Sequence, residues 1–205
     1  GVPRSEQSLF DGWTDAIVAA NADGDITSSG AALGELIGYF SKHMERVKKN
    51  PGEDVISALV QARPGGQEVS AAWILGFAFT MVTGGNDTTT GLLSGAAELM
   101  TKHRDQRQLL LDDLSRVTPS IEEFLRLTSP VQNLARTTTC DVEIHDTVIP
   151  EGKKVMLLYG SANRDEREFG DDAGELNVQR EIDKMVSLGY GAHHCLGEAA
   201  ARLQT

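Results

Sequence analysis

The feature that most constrains this chain's fold is one long stretch of helical pattern, from about Gln67 to His103. The pattern continues for about 35 residues, or about 50 Å at 1.5 Å per residue. A helix of that length would cross an entire domain. Its middle, TGGNDTTTG, contains paired glycines and successive threonines, which are poor helix formers. Such a local conflict inside a strong element is where a functional site is expected.

Residues 1–130 are predicted to be mostly helical, with the long helix among them. The last helix of this part is IEEFLRLTSP. Thr118 and Pro119 predict its N-cap and first-turn proline, and Pro130 predicts its end. These features indicate a fold that is mainly α in its first part.

Residues 131–205 differ in character, because they are rich in β-branched residues and turn formers. The segments DVEI and TVI predict a hairpin around His145 and Asp146, and KKVMLLY predicts a further strand. A polar, irregular segment of roughly 25 residues follows, and a helix is predicted to begin at Leu196. We therefore expect residues 1–205 to form a single partial domain, mainly α with a small β region.

Composition narrows the class of protein. The formal net charge of −11 argues against a nucleic-acid-binding surface, which needs a basic footprint. The longest apolar run, AAWILGFAFTMV, is too short to span a bilayer, and the first residues carry no secretory signal pattern. Two cysteines, Cys140 and Cys195, do not make a disulfide framework. We expect a cytoplasmic protein with no membrane or nucleic-acid partner.

The segment GYGAHHCLG, residues 189–197, carries the strongest chemical signal. Gly189 and Gly191 permit backbone conformations closed to other residues and let a flat partner approach closely. Cys195 stands where a helix is predicted to begin, a position that favours the metal-binding thiolate. One isolated thiolate suits an axial haem ligand better than an iron–sulfur cluster or tetrahedral zinc, which take about four protein ligands.

Other interpretations of the same loop stay open. A buried, inert cysteine in a glycine-rich turn is the default for any isolated cysteine. A zinc site of His193, His194 and Cys195 is disfavoured, because adjacent side chains rarely converge on one metal. A nucleotide-binding GxGxxG pattern fails, since His194 replaces the third glycine. A cysteine nucleophile with a nearby histidine is a further alternative, although no oxyanion-hole pattern in the sequence supports it.

Together with two further segments, the loop resembles the haem-binding signature of the cytochrome P450 family, Phe-Gly-x-Gly-x-His-x-Cys-x-Gly. Every signature position matches, including Gly197, except the first, where Leu188 replaces phenylalanine. The resemblance implies that Cys195 is the proximal thiolate ligand of the iron in haem b and that His193 contacts a haem propionate. It also implies a partial P450 fold with a long central helix, a small sheet and a cysteine loop.

The second segment is EEFLR, in which Glu123 and Arg126 lie on one helix face. An ordinary exposed pair at this spacing would contribute about 0.5 kcal/mol or less. The spacing resembles the family's Glu-x-x-Arg lock, whose third member is a downstream arginine, and Arg180 stands at the matching place. The role that the resemblance implies is structural, holding the irregular segment and hence the cysteine loop.

The third segment is GGNDTT, residues 84–89 of the long helix. Its small residues open space beside the helix, and a carboxylate next to a hydroxyl can form a proton relay. A kink without catalytic role is the alternative. The run resembles the family's oxygen-activation motif, which implies that Thr88 steadies dioxygen, that Asp87 helps to deliver protons, and that Gly84 and Gly85 leave room over the iron.

The resemblance extends to Arg136 in LARTTT, which matches a propionate-binding arginine, although a surface or strand arginine is the alternative. It covers the whole chain but only about half of a family member. We therefore expect the chain to be the C-terminal half of such an enzyme. A truncated chain would expose apolar surface, so self-association or a complementary chain is expected.

The function implied is that of a haem-thiolate monooxygenase that inserts one oxygen atom of O2 into a small, apolar organic substrate. The resemblance implies a ferredoxin or flavin-type electron donor. The alternative is a non-catalytic haem-binding or haem-free fragment of such an enzyme.

Overall fold

The computed structural model describes residues 2–23 and 25–205, and most of these residues are helical. The helices are α1 (Gln7–Asp23), α2 (Gly30–Lys49), α3 (Val55–Gln61), α4 (Ala71–Lys102), α5 (Arg104–Asp112), α6 (Val117–Thr128), α7 (Tyr159–Ala162), α8 (Glu166–Phe169) and α9 (Glu198–Gln204). The strands are β1 (Leu134–Thr137), β2 (Val142–Ile144), β3 (Thr147–Ile149) and β4 (Lys154–Leu157). The prediction of a mainly α chain with a small β region is confirmed. Among the helices of the described ranges, none has both the length and the apolarity needed to cross a membrane.

The chain divides into two compact units, Gly1–Asp87 and Thr88–Thr205. The division falls inside α4, which runs without interruption from Ala71 to Lys102 and so confirms the predicted long helix. The paired glycines and the threonines do not break it. Each threonine can satisfy its hydroxyl within a helix, as Thr83 does by donating to the carbonyl oxygen of Phe79 at 2.9 Å.

The first unit packs α1, α2 and the start of α4 around an aromatic cluster. Its buried core consists of Trp13, Ile17, Leu36, Phe40 and Ala78. The aromatic rings meet edge to face, for example Phe10 and Trp13 with centroids 5.0 Å apart. The indole nitrogen of Trp13 donates to Glu35 at 2.9 Å, so the buried ring keeps a polar partner.

The second unit is built around α6, which is buried on most of its surface. Its core cluster contains Leu92, Ala96, Leu110, Ile121, Phe124, Leu125, Leu127, Leu176 and Val178. The helix ends one residue before Ser129, which adopts a left-handed conformation with φ 38°, and Pro130 follows, as predicted. The predicted N-cap Thr118 is wrong. A 3-10 turn over Leu114–Arg116 leads directly into α6, which therefore begins at Val117 with Arg116 as its cap.

Two small antiparallel sheets follow α6. The hairpin β2–β3 turns at His145 and Asp146, with Ile144 opposite Thr147, which confirms the predicted hairpin. His145 has φ 52°, a left-handed conformation that the tight turn requires. Strands β1 and β4 flank this hairpin in the chain and pair with each other, so that Arg136 lies opposite Val155. Beyond α8 the chain is irregular as far as Gly191, where the cysteine loop begins to turn.

Candidate functional site

The cysteine loop is a tight turn that depends on two glycines. Gly189 and Gly191 have φ 73° and φ 70°, conformations that L-residues with side chains rarely adopt. A Cβ atom added to Gly189 would lie 3.2 Å from the carbonyl oxygen of His193. The backbone N–H of Cys195 donates to the carbonyl oxygen of Leu188 at 2.8 Å, which closes the loop. The fold of the loop thus accounts for the glycines of the sequence pattern.

Cys195 does not itself start the final helix, contrary to the sequence-based expectation. Helix α9 begins at Glu198 with Gly197 as its N-cap, so Cys195 precedes the cap by two residues. The reason is local, because the 3-10 turn Gly191–His193 and the glycine at 197 delay the helical conformation. Cys195 is half-buried, and His193 is exposed at the end of the 3-10 turn.

Glu123 and Arg126 on α6 form a bidentate ion pair that is closed to solvent. Arg126 Nε and Nη2 donate to the two carboxylate oxygens of Glu123 at 2.7 and 2.8 Å. The exposed fraction of both side chains is 0%. The remaining Nη1 donates to the carbonyl oxygens of Asn163 at 2.7 Å and Ala173 at 2.6 Å, and the guanidinium lies over the ring of Phe169. The pair is therefore a structural centre of the second unit and not an exposed helix pair.

Arg180, which the family resemblance names as a third member, contacts this pair from the irregular segment. Its Nε lies 3.3 Å from Glu123 Oε2. Its other nitrogens donate to the carbonyl oxygen of Phe169 at 2.6 Å and contact the Asp172 carboxylate at 2.9 Å. The contact lowers the pKa of Asp172, chiefly through the hydrogen bond from Arg180. Arg180 thus ties α6, the end of α8 and the irregular segment together through one guanidinium.

A second set of ion pairs and hydrogen bonds links α6 to α9 and the cysteine loop. Arg202 on α9 donates to Glu122 at 2.5 Å and contacts Glu198 at 3.1 Å. Glu198 in turn accepts from the imidazole of His194 at 2.5 Å, next to Cys195. The hydrogen bond to Glu198 raises the pKa of His194, and the hydrogen bond from His194 lowers the pKa of Glu198. Sequence reasoning missed Glu122, Glu198 and Arg202, although Glu198 and Arg202 stand at the i, i+4 spacing of a helical ion pair.

Arg136 lies on β1 and is exposed. One guanidinium nitrogen donates to the carbonyl oxygen of its neighbour Ala135 at 3.0 Å. The cysteine loop, the ion-pair lock (Glu123, Arg126 and Arg180) and Arg136 belong to the same compact unit.

The glycine–acid–threonine motif lies within α4, around the boundary of the two units. Gly84, Gly85 and Asp87 belong to the first unit and are exposed, whereas Thr88 belongs to the second and is half-buried. In the part of the chain that the structure describes, no atom beyond the local helix backbone lies within 4 Å of a Cβ built on either glycine. The motif therefore leaves open space beside the helix, as its small residues suggest.

The donor set around Cys195 bears on which metal group it could hold. Over residues 2–23 and 25–205, no group of three or more His, Cys, Asp or Glu side chains could hold a metal ion on its own. His194 makes its hydrogen bond to Glu198 and does not join Cys195 in such a group. Cys195 thus offers a single soft sulfur donor, which matches a metal whose remaining ligands come from a bound group.

Comparison with known families agrees with this arrangement. The family model described as Cytochrome P450 matches residues 35–205. Cytochrome P450 130 of Mycobacterium tuberculosis is 55% identical over all of this chain, which covers 51% of that protein. The Steroid C26-monooxygenase of Mycolicibacterium smegmatis is 35% identical, with 100% of this chain and 52% of that protein covered.

The fold agrees as well. The structure of cytochrome P450 CYP109Q5 from Chondromyces apiculatus matches with a TM-score of 0.90 and 36% identity. The match covers 100% of this chain and 50% of that one. The chain therefore spans about half the length of the relatives and solved structures that it matches.

Proposed function

The chain belongs to the cytochrome P450 family, and from that membership we propose that the whole protein is a haem-thiolate monooxygenase. It would insert one atom of O2 into a small, apolar organic substrate. The observation that carries the proposal is the geometry of Cys195. It is half-buried at the end of a glycine turn, and its backbone N–H donates a hydrogen bond to Leu188.

The residues present fit a haem b group. A porphyrin supplies the in-plane ligands of its iron, so the protein needs to add only an axial donor, and Cys195 is a single soft donor. Gly191 has φ 70°, and no atom of the described residues lies within 4 Å of a Cβ added to it. Such a side-chain-free turn allows a flat group to lie against the backbone.

In this proposal Cys195 would hold the haem iron through its sulfur, and Gly189, Gly191 and Gly197 would shape the loop that presents it. His193 and Arg136 are both exposed in the second unit, and a carboxylate such as a propionate is a natural partner for their nitrogens. Gly84 and Gly85, whose neighbourhood is open, would leave room beside α4.

When bound, a thiolate-ligated haem supplies an electron-rich iron that favours cleavage of the O–O bond. The protein's part is to deliver protons. Asp87 is exposed, so its carboxylate can take protons from solvent, and Thr88 is the next residue on the same helix. A carboxylate and a hydroxyl are the kinds of group that a proton relay from solvent would use.

The lock of Glu123, Arg126 and Arg180 has a positioning role in this proposal. Its members touch carbonyl groups of the irregular segment that leads to the cysteine loop. The electrons would come from a ferredoxin or flavin-type partner. The relative named Steroid C26-monooxygenase supports an apolar substrate class for this protein too.

The test is the absorption spectrum of the whole protein, reduced and exposed to carbon monoxide. We expect a strongly red-shifted Soret band in the wild type. Cys195→His should lose that shift and all monooxygenation. Cys140→Ser is the matched control, because Cys140 is the other cysteine and is exposed. It should keep both the spectrum and the activity.

An unshifted band in the wild type would mean that haem binds through a neutral ligand, and it would overturn the role of Cys195. Absence of any Soret band would overturn the proposal and favour a haem-free protein. A shifted band without substrate turnover would favour a haem-binding protein without catalytic activity.

A further inference from the structure

We propose that Asn163 is a positioning residue for the cysteine loop and that, with Ser129 and Ser187, it forms a second buried lock beside the ion pair of Glu123 and Arg126. The three polar side chains are buried, with Asn163 only 1% exposed. They are called the amide lock below. The inference rests on the proposed function, because Asn163 holds the loop that carries Cys195, the proposed haem ligand.

The amide lock uses every hydrogen-bonding group of the Asn163 side chain. Its Nδ2 donates to Ser129 Oγ at 2.8 Å and to Ser187 Oγ at 2.7 Å. Its Oδ1 accepts the backbone N–H of Val186 at 2.9 Å. The amide therefore connects the end of α6 to the irregular segment just before the loop.

The surroundings dictate the orientation of the amide. The Ser187 hydroxyl donates its one hydrogen to the carbonyl oxygen of Leu125 at 2.7 Å, and the Ser129 hydroxyl donates to that of Arg126 at 2.9 Å. Both hydroxyls can then only accept from Asn163, and the Val186 N–H can only donate to it. An aspartate has no N–H to give to the two serines, so it could not make the same set of bonds.

The amide lock leads to Cys195 through two short backbone bonds. The carbonyl oxygen of Val186 accepts from the N–H of Gly189 at 2.9 Å. The carbonyl oxygen of Leu188 accepts from the N–H of Cys195 at 2.8 Å. Residues 186–188 are thus the base on which the loop closes, and Asn163 holds the first of them.

Asn163 is also joined to the ion-pair lock. Its backbone carbonyl accepts from Arg126 Nη1 at 2.7 Å. The main-chain carbonyl of Asn163 therefore binds Arg126, and its side chain binds the residues at the base of the loop. A buried donor that loses its partner destabilises the fold. A change at Asn163 should therefore destabilise the backbone at Val186 and Ser187 first.

The experiment measures backbone amide hydrogen exchange and the reduced, carbon-monoxide-bound spectrum of the whole protein. The variants are Asn163→Asp and Ser187→Ala. The matched control is Ser120→Ala, because Ser120 is an equally buried serine on α6 whose hydroxyl donates to the Val117 carbonyl and takes no part in the lock.

We expect exchange at residues 186–195 to accelerate by about tenfold or more in both variants, as the loss of a buried hydrogen bond allows local opening. The amides of the core helix α4 should keep their wild-type rates. The share of haem with the red-shifted band should fall in the same variants. Ser120→Ala should change neither the exchange at residues 186–195 nor the spectrum.

Acceleration spread evenly over the second unit would mean a merely structural role and would overturn the proposal, as would unchanged exchange at residues 186–195. If Asn163→Asp does not fold, Ser187→Ala decides, because it removes the hydrogen bonds of Ser187 to Asn163 and to the Leu125 carbonyl but leaves Asn163 bound to Val186. The exchange rates report the loop whether or not Cys195 binds haem. A failure of the proposed function would appear instead in the Cys195→His spectrum.

Discussion

Arg126 gives two of its nitrogens to the carboxylate of Glu123, at 2.7 and 2.8 Å, in a site where neither side chain is exposed. The distance in sequence between the two residues is that of a common surface pair. Their environment is different, because the carbonyl groups of Asn163 and Ala173 complete the hydrogen bonding of the guanidinium. Arg126 supplies the hydrogen-bond donors for the buried carbonyl oxygens of Asn163 and Ala173. The buried pair therefore holds the irregular backbone in place.

Glu123→Gln should destabilise the whole protein severely. The change removes the charge that offsets Arg126 and the nearby Arg180, and breaking a buried pair costs about 3–5 kcal/mol. Urea unfolding, followed by circular dichroism, measures the loss as a lower midpoint.

The matched control for that variant is Arg116→Ala. Arg116 pairs with Asp113 at the same i, i+3 spacing and 3.1 Å, but both side chains are well exposed. We expect no measurable change in the unfolding midpoint, because exposed pairs contribute little. Equal losses of the unfolding midpoint in Glu123→Gln and Arg116→Ala would show that burial does not increase the contribution of the Glu123–Arg126 pair to stability.

Gly189→Ala should loosen the cysteine loop. Alanine is strained at φ 73°, and its Cβ would stand 3.2 Å from the His193 carbonyl oxygen. The variant should melt at a lower temperature and retain less haem after gel filtration. Gly174→Ala is the control, because a Cβ there has no neighbour within 4 Å among the described residues. Full haem retention in Gly189→Ala would show that the turn tolerates a side chain.

Periodicity and turn chemistry were enough to predict the elements that depend on local sequence. The long helix was expected from about Gln67 to His103 and runs over Ala71–Lys102. The hairpin at His145 was also predictable, because alternating strands and a polar turn are signals within a few residues.

Contacts between distant segments were not predictable in the same way. The pairing of β1 with β4 spans the intervening hairpin, and no pattern in LARTTT alone indicates that partner. The burial of Glu123 and Arg126 depends on carbonyl groups more than thirty residues away, such as that of Asn163. The burial of Asn163 was not predictable either, because a buried amide and an exposed one look the same in the sequence.

If the whole protein is the proposed monooxygenase, Thr88→Ala should uncouple electron consumption from product formation. Without the hydroxyl next to Asp87, protons reach the reduced dioxygen with less control, and more of it should leave as hydrogen peroxide. The ratio of peroxide to hydroxylated product measures the effect. Thr101→Ala is the control, since Thr101 is an exposed threonine of the same helix that donates to the Ala97 carbonyl. An unchanged ratio in Thr88→Ala would remove Thr88 from the relay.

The stability of the first unit should depend on pH through His43. Arg46 Nη2 lies 2.6 Å from His43 Nδ1 and can only donate, so the neutral ring carries its proton on Nε2, which faces Asp54 at 3.9 Å. Burial, with a further contribution from the Arg46 charge, lowers the pKa of His43 below 6.5, although Asp54 acts in the opposite direction. The folded chain therefore binds fewer protons than the unfolded chain just below pH 6.5.

Since the unfolded chain binds the extra proton, stability is full above pH 6.5 and falls as the pH drops through the lowered pKa. His43→Gln keeps an acceptor for Arg46 but cannot be protonated, so its unfolding midpoint should fall less between pH 7.5 and pH 5. Urea unfolding at a series of pH values gives the comparison, and His145→Asn, at an exposed hairpin turn, is the histidine control. The same pH dependence in His43→Gln and wild type would mean that another group carries the proton uptake.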